Sequence, residues 1–256
     1  MQSSNPVLTR TGTFTRVGGG TLNVPPTAST AELEAMYARP GLMTVDSVVL
    51  RTGILLAIIA TTGAAAWVLD LGQGPAILAA IAGFVLAMVI TFRRVASPPL
   101  IMAYAAVEGV FLGAISHAFN NAYPGIVVQA VLGTGTAFAG MLVAYRSGRI
   151  RVTPRFTKMV VGAAIGLLGL MVVNLVAGLF TSGGLGLRDG GPLAIVFSLV
   201  AIGVACLMLA LDFDYVEKAI AAGAPERESW LGAFGLTVTL VWLYIEILRL
   251  ISYLRD

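Results

Sequence analysis

Seven long runs of apolar residues dominate the chain, and turn residues or charges separate each run from the next. They lie at about 48–69, 76–92, 100–119, 126–145, 159–180, 193–211 and 230–254. A helix of about 20 residues crosses the ~30 Å hydrocarbon core of a bilayer, and the runs lack the two-residue alternation of barrel strands. The pattern therefore predicts an all-α polytopic membrane protein with seven transmembrane helices in one domain over residues 44–256.

The residues before this domain have a different pattern. Residues 1–28 are rich in Ser, Thr, Gly, Asn and Pro and contain no apolar block, so they predict a tail rather than a secretory signal. Ser29 and Glu32 have the spacing of a capping box, and Pro40 follows as a helix stop. We therefore expect a cytoplasmic tail over residues 1–43 with a short helix at about 30–39.

The composition agrees with a membrane protein. Hydrophobic residues make up 57% of the chain and charged residues 11%, with a mean hydropathy of +0.90. The net charge of +3 could indicate nucleic-acid binding, but the basic residues lie in loops and form no basic face, so we expect no nucleic-acid partner. The single cysteine, Cys206, excludes a disulfide framework, and His117 is the only histidine. We expect neither an enzyme nor a resident cofactor or metal.

The basic residues also predict the orientation. They cluster before the first run and after the second, fourth and sixth runs. The loops after the first, third and fifth runs contain one basic residue, Arg188. By the positive-inside rule the N-terminus is cytoplasmic and, after seven crossings, the C-terminus is extracytoplasmic. We expect a multi-pass protein of the plasma membrane.

Acidic residues inside the apolar runs are the candidate functional groups, since a carboxylate in hydrocarbon is costly unless it is paired or hydrated. Glu108 lies near the middle of the third run and Glu246 well inside the seventh. Asp212 ends the sixth run and Asp214 follows it. Straight helices would separate Asp212 from Glu246, which can approach only if the sixth helix extends past residue 211 or the seventh is displaced.

Several of these charges also have purely structural interpretations. Arg249 is three residues after Glu246, a spacing that permits a salt bridge on one helix face. Arg93 and Arg94 are either topology signals or partners for an acid at the same end, such as Asp212. Glu108 either hydrogen-bonds a neighbouring helix or lies on an ion path, and Asp214 is either solvated or part of that path.

Three stretches resemble the transmembrane Bax inhibitor motif family, including its YccA-like and YetJ-like bacterial branch. They are MAYAAVEGVFLGAIS in the third run, LALDFDYVEK at the end of the sixth and LTVTLVWLYIEILRLIS in the seventh. With the number of spans, the resemblance covers residue 44 to the C-terminus, and the preceding tail resembles the actinobacterial branch of the family.

This resemblance implies six helices around a central seventh and a pH-sensitive calcium leak across the membrane. It implies a sensor made of two aspartates, which fall on Asp212 and Glu246, and an arginine latch, which falls on Arg93 or Arg94. Glutamate at position 246 departs from the family pattern, and its extra methylene changes how it can share a proton with Asp212.

The sequence thus predicts a pH-sensitive cation leak with Ca²⁺ as the permeating ion, gated by Asp212, Glu246, Arg93 and Arg94, with Glu108 and Asp214 as candidates along the ion path. The expected partners are the lipid bilayer and either Ca²⁺ or protons.

Two alternatives to this function stay open. One is a non-conducting regulatory protein that binds another membrane protein, such as a membrane-bound protease or a stress-response complex. The other is a proton-coupled transporter of a small solute.

Overall fold

A computed structural model of the chain describes residues 41–93, 96–181 and 184–255. Within these ranges seven helices are long and apolar enough to cross a membrane, which confirms the predicted all-α fold. They are α1 Val45–Val68, α2 Gln73–Arg93, α3 Pro98–Ala122, α4 Ile126–Arg146, α5 Pro154–Ala177, α6 Pro192–Ala221 and α7 Ser229–Tyr253. A single turn of 3₁₀ helix, Glu226–Glu228, precedes α7. The helix predicted at about 30–39 lies outside the described residues.

The starts of several helices follow from local sequence. Thr44 accepts a hydrogen bond from the backbone N–H of Ser47 and Ser47 accepts one from that of Thr44, so the two residues form a capping box before α1. Helices α3, α5 and α6 begin at Pro98, Pro154 and Pro192. Proline suits the first helical position because its fixed φ is helical and its missing N–H would have no partner there.

Helix α6 continues ten residues beyond the predicted end of the sixth run at residue 211. The added turns carry an ion pair on one helix face, in which Lys218 Nζ lies 2.6 Å from Asp214 Oδ2 four residues earlier. The helix stops before Gly223, whose φ of +69° is typical of the glycine after a helix C-terminus. As a result Asp212 lies inside the helix and not at its end.

Helix α7 is the most buried of the seven. It packs against α6, α1, α4 and α3, while α2 packs mainly against α3, and α5 against α6. One core cluster joins Val48 of α1, Leu209 of α6 and Leu243 of α7. The central position of α7 keeps its polar side chains inside the protein and away from lipid.

The two ends of the bundle differ in charge. At the end where α2, α4 and α6 terminate, here called the basic end, the last turns of these helices carry Arg93, Arg146 and Lys218. Arg51 of α1 also forms an ion pair with Glu226 there, with Nη2 2.6 Å from Oε1. The end where α1, α3 and α5 terminate is called the opposite end.

Small residues bring α1 and α3 close together. A Cβ added to Gly113 would collide with the backbone of Gly63, and one added to Gly109 would lie 2.6 Å from the carbonyl oxygen of Ile59. Two glycines four residues apart in α3 therefore allow close packing of the two helices. The corresponding pair in α5, Gly162 and Gly166, faces open space, so it supports no such approach among the described residues.

Candidate ion site along the central helix

Glu246 of α7 is the most deeply buried acidic residue among those described, with 1% of its surface exposed. Both carboxylate oxygens contact the guanidinium of Arg188, with Nη2 2.9 Å from Oε1 and Nη1 3.3 Å from Oε2. The hydroxyl of Ser198 on α6 donates to Oε2 at 3.4 Å. Two-point contact with an arginine and a further hydrogen bond offset the cost of burying the charge.

Arg188 comes from the connection between α5 and α6, at the opposite end of the bundle. Its guanidinium carbon lies 5.2 Å from the centre of the Phe197 ring, a cation–π arrangement that favours its inward position. The hydroxyl of Tyr253 donates to the Arg188 carbonyl oxygen at 3.5 Å. The connection is thus fastened to the last turn of α7, with the arginine side chain directed at Glu246.

The predicted salt bridge between Arg249 and Glu246 is present but longer. Arg249 Nη1 lies 3.9 Å from Oε1, compared with 2.9 Å for Arg188. One carboxylate therefore faces two guanidinium groups, and the cluster carries one excess positive charge. Such a cluster repels a cation that approaches from the opposite end.

Asp212 lies on α6, where its Oδ2 accepts a hydrogen bond of 2.6 Å from the hydroxyl of Thr239 on α7. A Cβ added to Gly235 of α7 would lie 3.2 Å from Asp212 Oδ1. The missing side chain at this position leaves room for the carboxyl group between the two helices. Asp212 thus belongs to the interface between α6 and the central helix, as the family pattern implies.

The structure does not bring Asp212 and Glu246 together. Thr239, the partner of Asp212, precedes Glu246 by seven residues of helix, which is about 10 Å along the axis. The longer α6 moves Asp212 into the bundle, but α7 still places Glu246 two turns nearer the opposite end. Each carboxylate therefore has its own partners, and the expected shared proton has no counterpart in this geometry.

The predicted arginine latch is not formed by Arg93. This residue is exposed at the end of α2, and no ion pair within the described ranges includes it. The end of α2 nevertheless lies near the central helix, because Ile90, three residues before Arg93, belongs to a core cluster with Ala233 and Phe234 of α7. The Arg93 side chain itself is exposed. Arg94 lies outside the described residues, so its pairing with Asp212 stays a prediction.

The two further acids proposed along the ion path lie apart from this interface. Glu108 of α3 is 8% exposed and extends toward α2, where a Cβ added to Gly83 would lie 2.7 Å from its Oε2. Asp214 is paired with Lys218 on the part of α6 that extends toward the basic end. The structure therefore groups Asp212 and Glu246 along one helix interface, and places Glu108 at a different one.

Sequence reasoning missed the role of Arg188. In the sequence Arg188 is the one basic residue in the loops after the first, third and fifth runs, and the positive-inside rule explains it only as a topology signal. Its isolation is the available clue, because a buried acid in the half of the last helix nearer the opposite end has few cations within reach. Arg249, on the same helix, was the more obvious partner.

The fold and these buried charges define a polytopic helical membrane protein with an ion-paired carboxylate in its central helix. A protein-family model described as Bax inhibitor 1 like matches residues 5–256. The chain belongs to this Bax inhibitor 1 like family, in agreement with the resemblance in its third, sixth and seventh spans. A search of the curated proteins finds no match for the chain.

Proposed function

We propose that the protein is a pH-sensitive leak channel for calcium, with Asp212 and Glu246 acting in series along the interface of α6 and α7. The observation that carries this proposal is the buried pair of Glu246 and Arg188. A transmembrane helix retains charges in its interior at a considerable free-energy cost, and such charges commonly mark an ion path. Membership in the Bax inhibitor 1 like family supports a membrane protein of this kind.

In this proposal the structure represents a closed state. Glu246 is held by Arg188 and faces Arg249, so the site nearer the opposite end carries a net positive charge. Opening moves the Arg188 guanidinium away from Glu246. The freed carboxylate then presents oxygen ligands to the cation, with the Ser198 hydroxyl beside it. Calcium prefers oxygen ligands of this type.

Asp212 supplies the pH dependence. Its ionised carboxylate, with the Thr239 hydroxyl beside it, attracts a cation into the centre of the bundle. As the pH falls the carboxylate takes up a proton and loses its charge, so the attraction and the leak both decrease. In this scheme Asp212 and Glu246 do not share a proton. The arginine that closes the ion path is Arg188, from the connection between α5 and α6, in place of an arginine at the end of α2.

We further propose that the protein lies in the plasma membrane with its basic end on the cytoplasmic side. The arginines and lysines of that end follow the positive-inside rule. The N-terminus is then cytoplasmic and the C-terminus extracytoplasmic. Calcium acts as the permeating ion, and the protein carries out no chemical reaction.

The test is calcium flux into liposomes that contain the purified protein, measured over a pH series. We expect flux above that of empty liposomes, decreasing as the pH falls. Asp212→Asn should abolish the pH dependence, whereas Asp214→Asn, a matched change two residues away on the same helix, should retain it. Absence of flux at every pH would contradict the proposal and favour a non-conducting regulatory protein with a membrane-protein partner.

A further inference from the structure

An open groove runs between α1 and α4 on the side of the bundle. Both helices pack against α7, and residues of α3 and α7 form the floor of the groove. Its volume is about 970 Å³ and its lining is almost entirely apolar. Along α1 the lining extends from Val49 to Val68, or about 28 Å of helix, which is close to the ~30 Å thickness of the hydrocarbon core.

At the basic end the groove continues into a second cavity of about 670 Å³ with a more polar lining. The two cavities share four lining residues, Val49, Phe138, Leu142 and Leu236, so an extended ligand can occupy both. The second cavity adds Arg146 and Arg151, which are exposed and belong to no ion pair within the described ranges.

One acid, Glu217, also lines the second cavity. Its carboxylate accepts a hydrogen bond of 2.5 Å from the hydroxyl of Tyr145. The two arginines outnumber this acid, so the mouth of the groove is positively charged.

We propose that this groove binds an anionic phospholipid, with the phosphate at Arg146 and Arg151 and an acyl chain between α1 and α4. An apolar channel that leads to two arginines without an ion pair among the described residues is complementary to an amphiphile with a negative headgroup. Inorganic phosphate would use the arginines alone and leave the apolar part unused. The proposal is independent of calcium conduction.

The dimensions agree with a lipid of the leaflet at the basic end, whose chain reaches about 15 Å, half of the hydrocarbon core. On α4, Gly135 precedes Arg146 by eleven residues, or about 16 Å. Gly53 lies nearer the mouth on α1. A Cβ added to either glycine meets nothing within 4 Å, so both positions open into the groove and a larger side chain there would occupy the place of the acyl chain.

Native mass spectrometry of the purified full-length protein tests the proposal, with phosphatidylglycerol and phosphatidylcholine added separately as probes. We expect one phosphatidylglycerol to be retained in preference to phosphatidylcholine. Gly53→Leu and Gly135→Leu should each reduce this retention at least tenfold, since each buried methylene that is displaced is worth about fourfold in affinity. Gly140→Leu is the matched control on α4, because Gly140 faces open space outside the groove.

The headgroup is tested by Arg146→Gln and Arg151→Gln, each of which should lower phosphatidylglycerol binding about fivefold. The same changes at Arg149 and Arg155, exposed residues at this end that do not line the cavity, should have little effect. Three results would overturn the proposal: equal binding of both lipids, unchanged lipid retention in Gly53→Leu and Gly135→Leu, or a dimer of the chain in place of a lipid adduct. The unfolding temperature of each variant should equal that of the unmodified protein, which separates loss of binding from loss of fold.

Discussion

Replacing Arg188 with glutamine should destabilise the protein substantially, because it leaves the Glu246 carboxylate buried without its main partner. Glu246 is 1% exposed, and the remaining contacts of its carboxylate would be Arg249 at 3.9 Å and the Ser198 hydroxyl at 3.4 Å. Removing one member of a buried ion pair costs about 3–5 kcal/mol. Arg249 retains part of the attraction, so we expect the lower end of this range, about 3 kcal/mol.

The single cysteine of the chain can be used to measure the unfolding temperature of each variant. Cys206 is the single cysteine, it is half-buried in α6, and a thiol-reactive dye will label it as the helix bundle opens. For a chain of this size a loss of 1 kcal/mol lowers the unfolding temperature by about 2–4 °C, so Arg188→Gln should lower it by about 6–12 °C. Arg93→Gln is the control, since Arg93 is exposed and in no ion pair within the described residues, and it should change the temperature by less than about 2 °C.

A double variant separates the ion pair from other effects of the substitution. Arg188→Gln combined with Glu246→Gln leaves no unpaired buried carboxylate, so we expect it to recover most of the stability that Arg188→Gln loses. If Arg188→Gln unfolds within about 2 °C of the unmodified protein, or if the two substitutions lower the temperature additively, then Arg188 does not stabilise the buried charge and the reasoning is refuted.

Two further predictions concern packing and the second carboxylate. Gly113→Ala should lower the free energy of unfolding by about 1–3 kcal/mol, because the new methyl group collides with the backbone of Gly63, whereas Gly162→Ala, which faces open space, should not destabilise the protein. Thr239→Val has nearly the same volume but removes the donor to Asp212, so it should cost about 1–3 kcal/mol in the same unfolding assay, and an unchanged unfolding temperature would contradict the assigned hydrogen bond.

Apolar run length was sufficient to predict the seven helices, because a bilayer requires a continuous helical segment of nearly fixed length. The sixth helix was the exception. Residues 212–221 are polar enough to end an apolar run, yet they continue the helix through good helix formers and the pair of Asp214 and Lys218. Hydropathy predicts which part of a helix lies in the hydrocarbon core. It does not predict how far the helix continues beyond the core.

The buried acids could be recognised from sequence, since Glu108 and Glu246 lie inside apolar runs and Asp212 directly follows one, but their partners could not. Arg188 is 58 residues from Glu246, and their contact depends on how the connection between α5 and α6 folds over the end of α7. The family pattern directed the latch to Arg93 or Arg94 because it specifies positions along the chain. A position along the chain does not specify the direction of a side chain at a helix end: Ile90 of α2 packs in one cluster with Phe234 of α7, whereas Arg93, three residues later, is exposed.

The central claim is that the pair of Arg188 and Glu246 closes the ion path at the opposite end of the bundle. Calcium flux of Arg188→Gln in liposomes at neutral pH, measured below its unfolding temperature and beside Arg188→Lys, tests it most directly. The account predicts a several-fold higher flux for Arg188→Gln, because Glu246 loses the group that covers it, and a flux near that of the unmodified protein for Arg188→Lys, which keeps the charge. Equal flux in the unmodified protein and in Arg188→Gln would contradict the account.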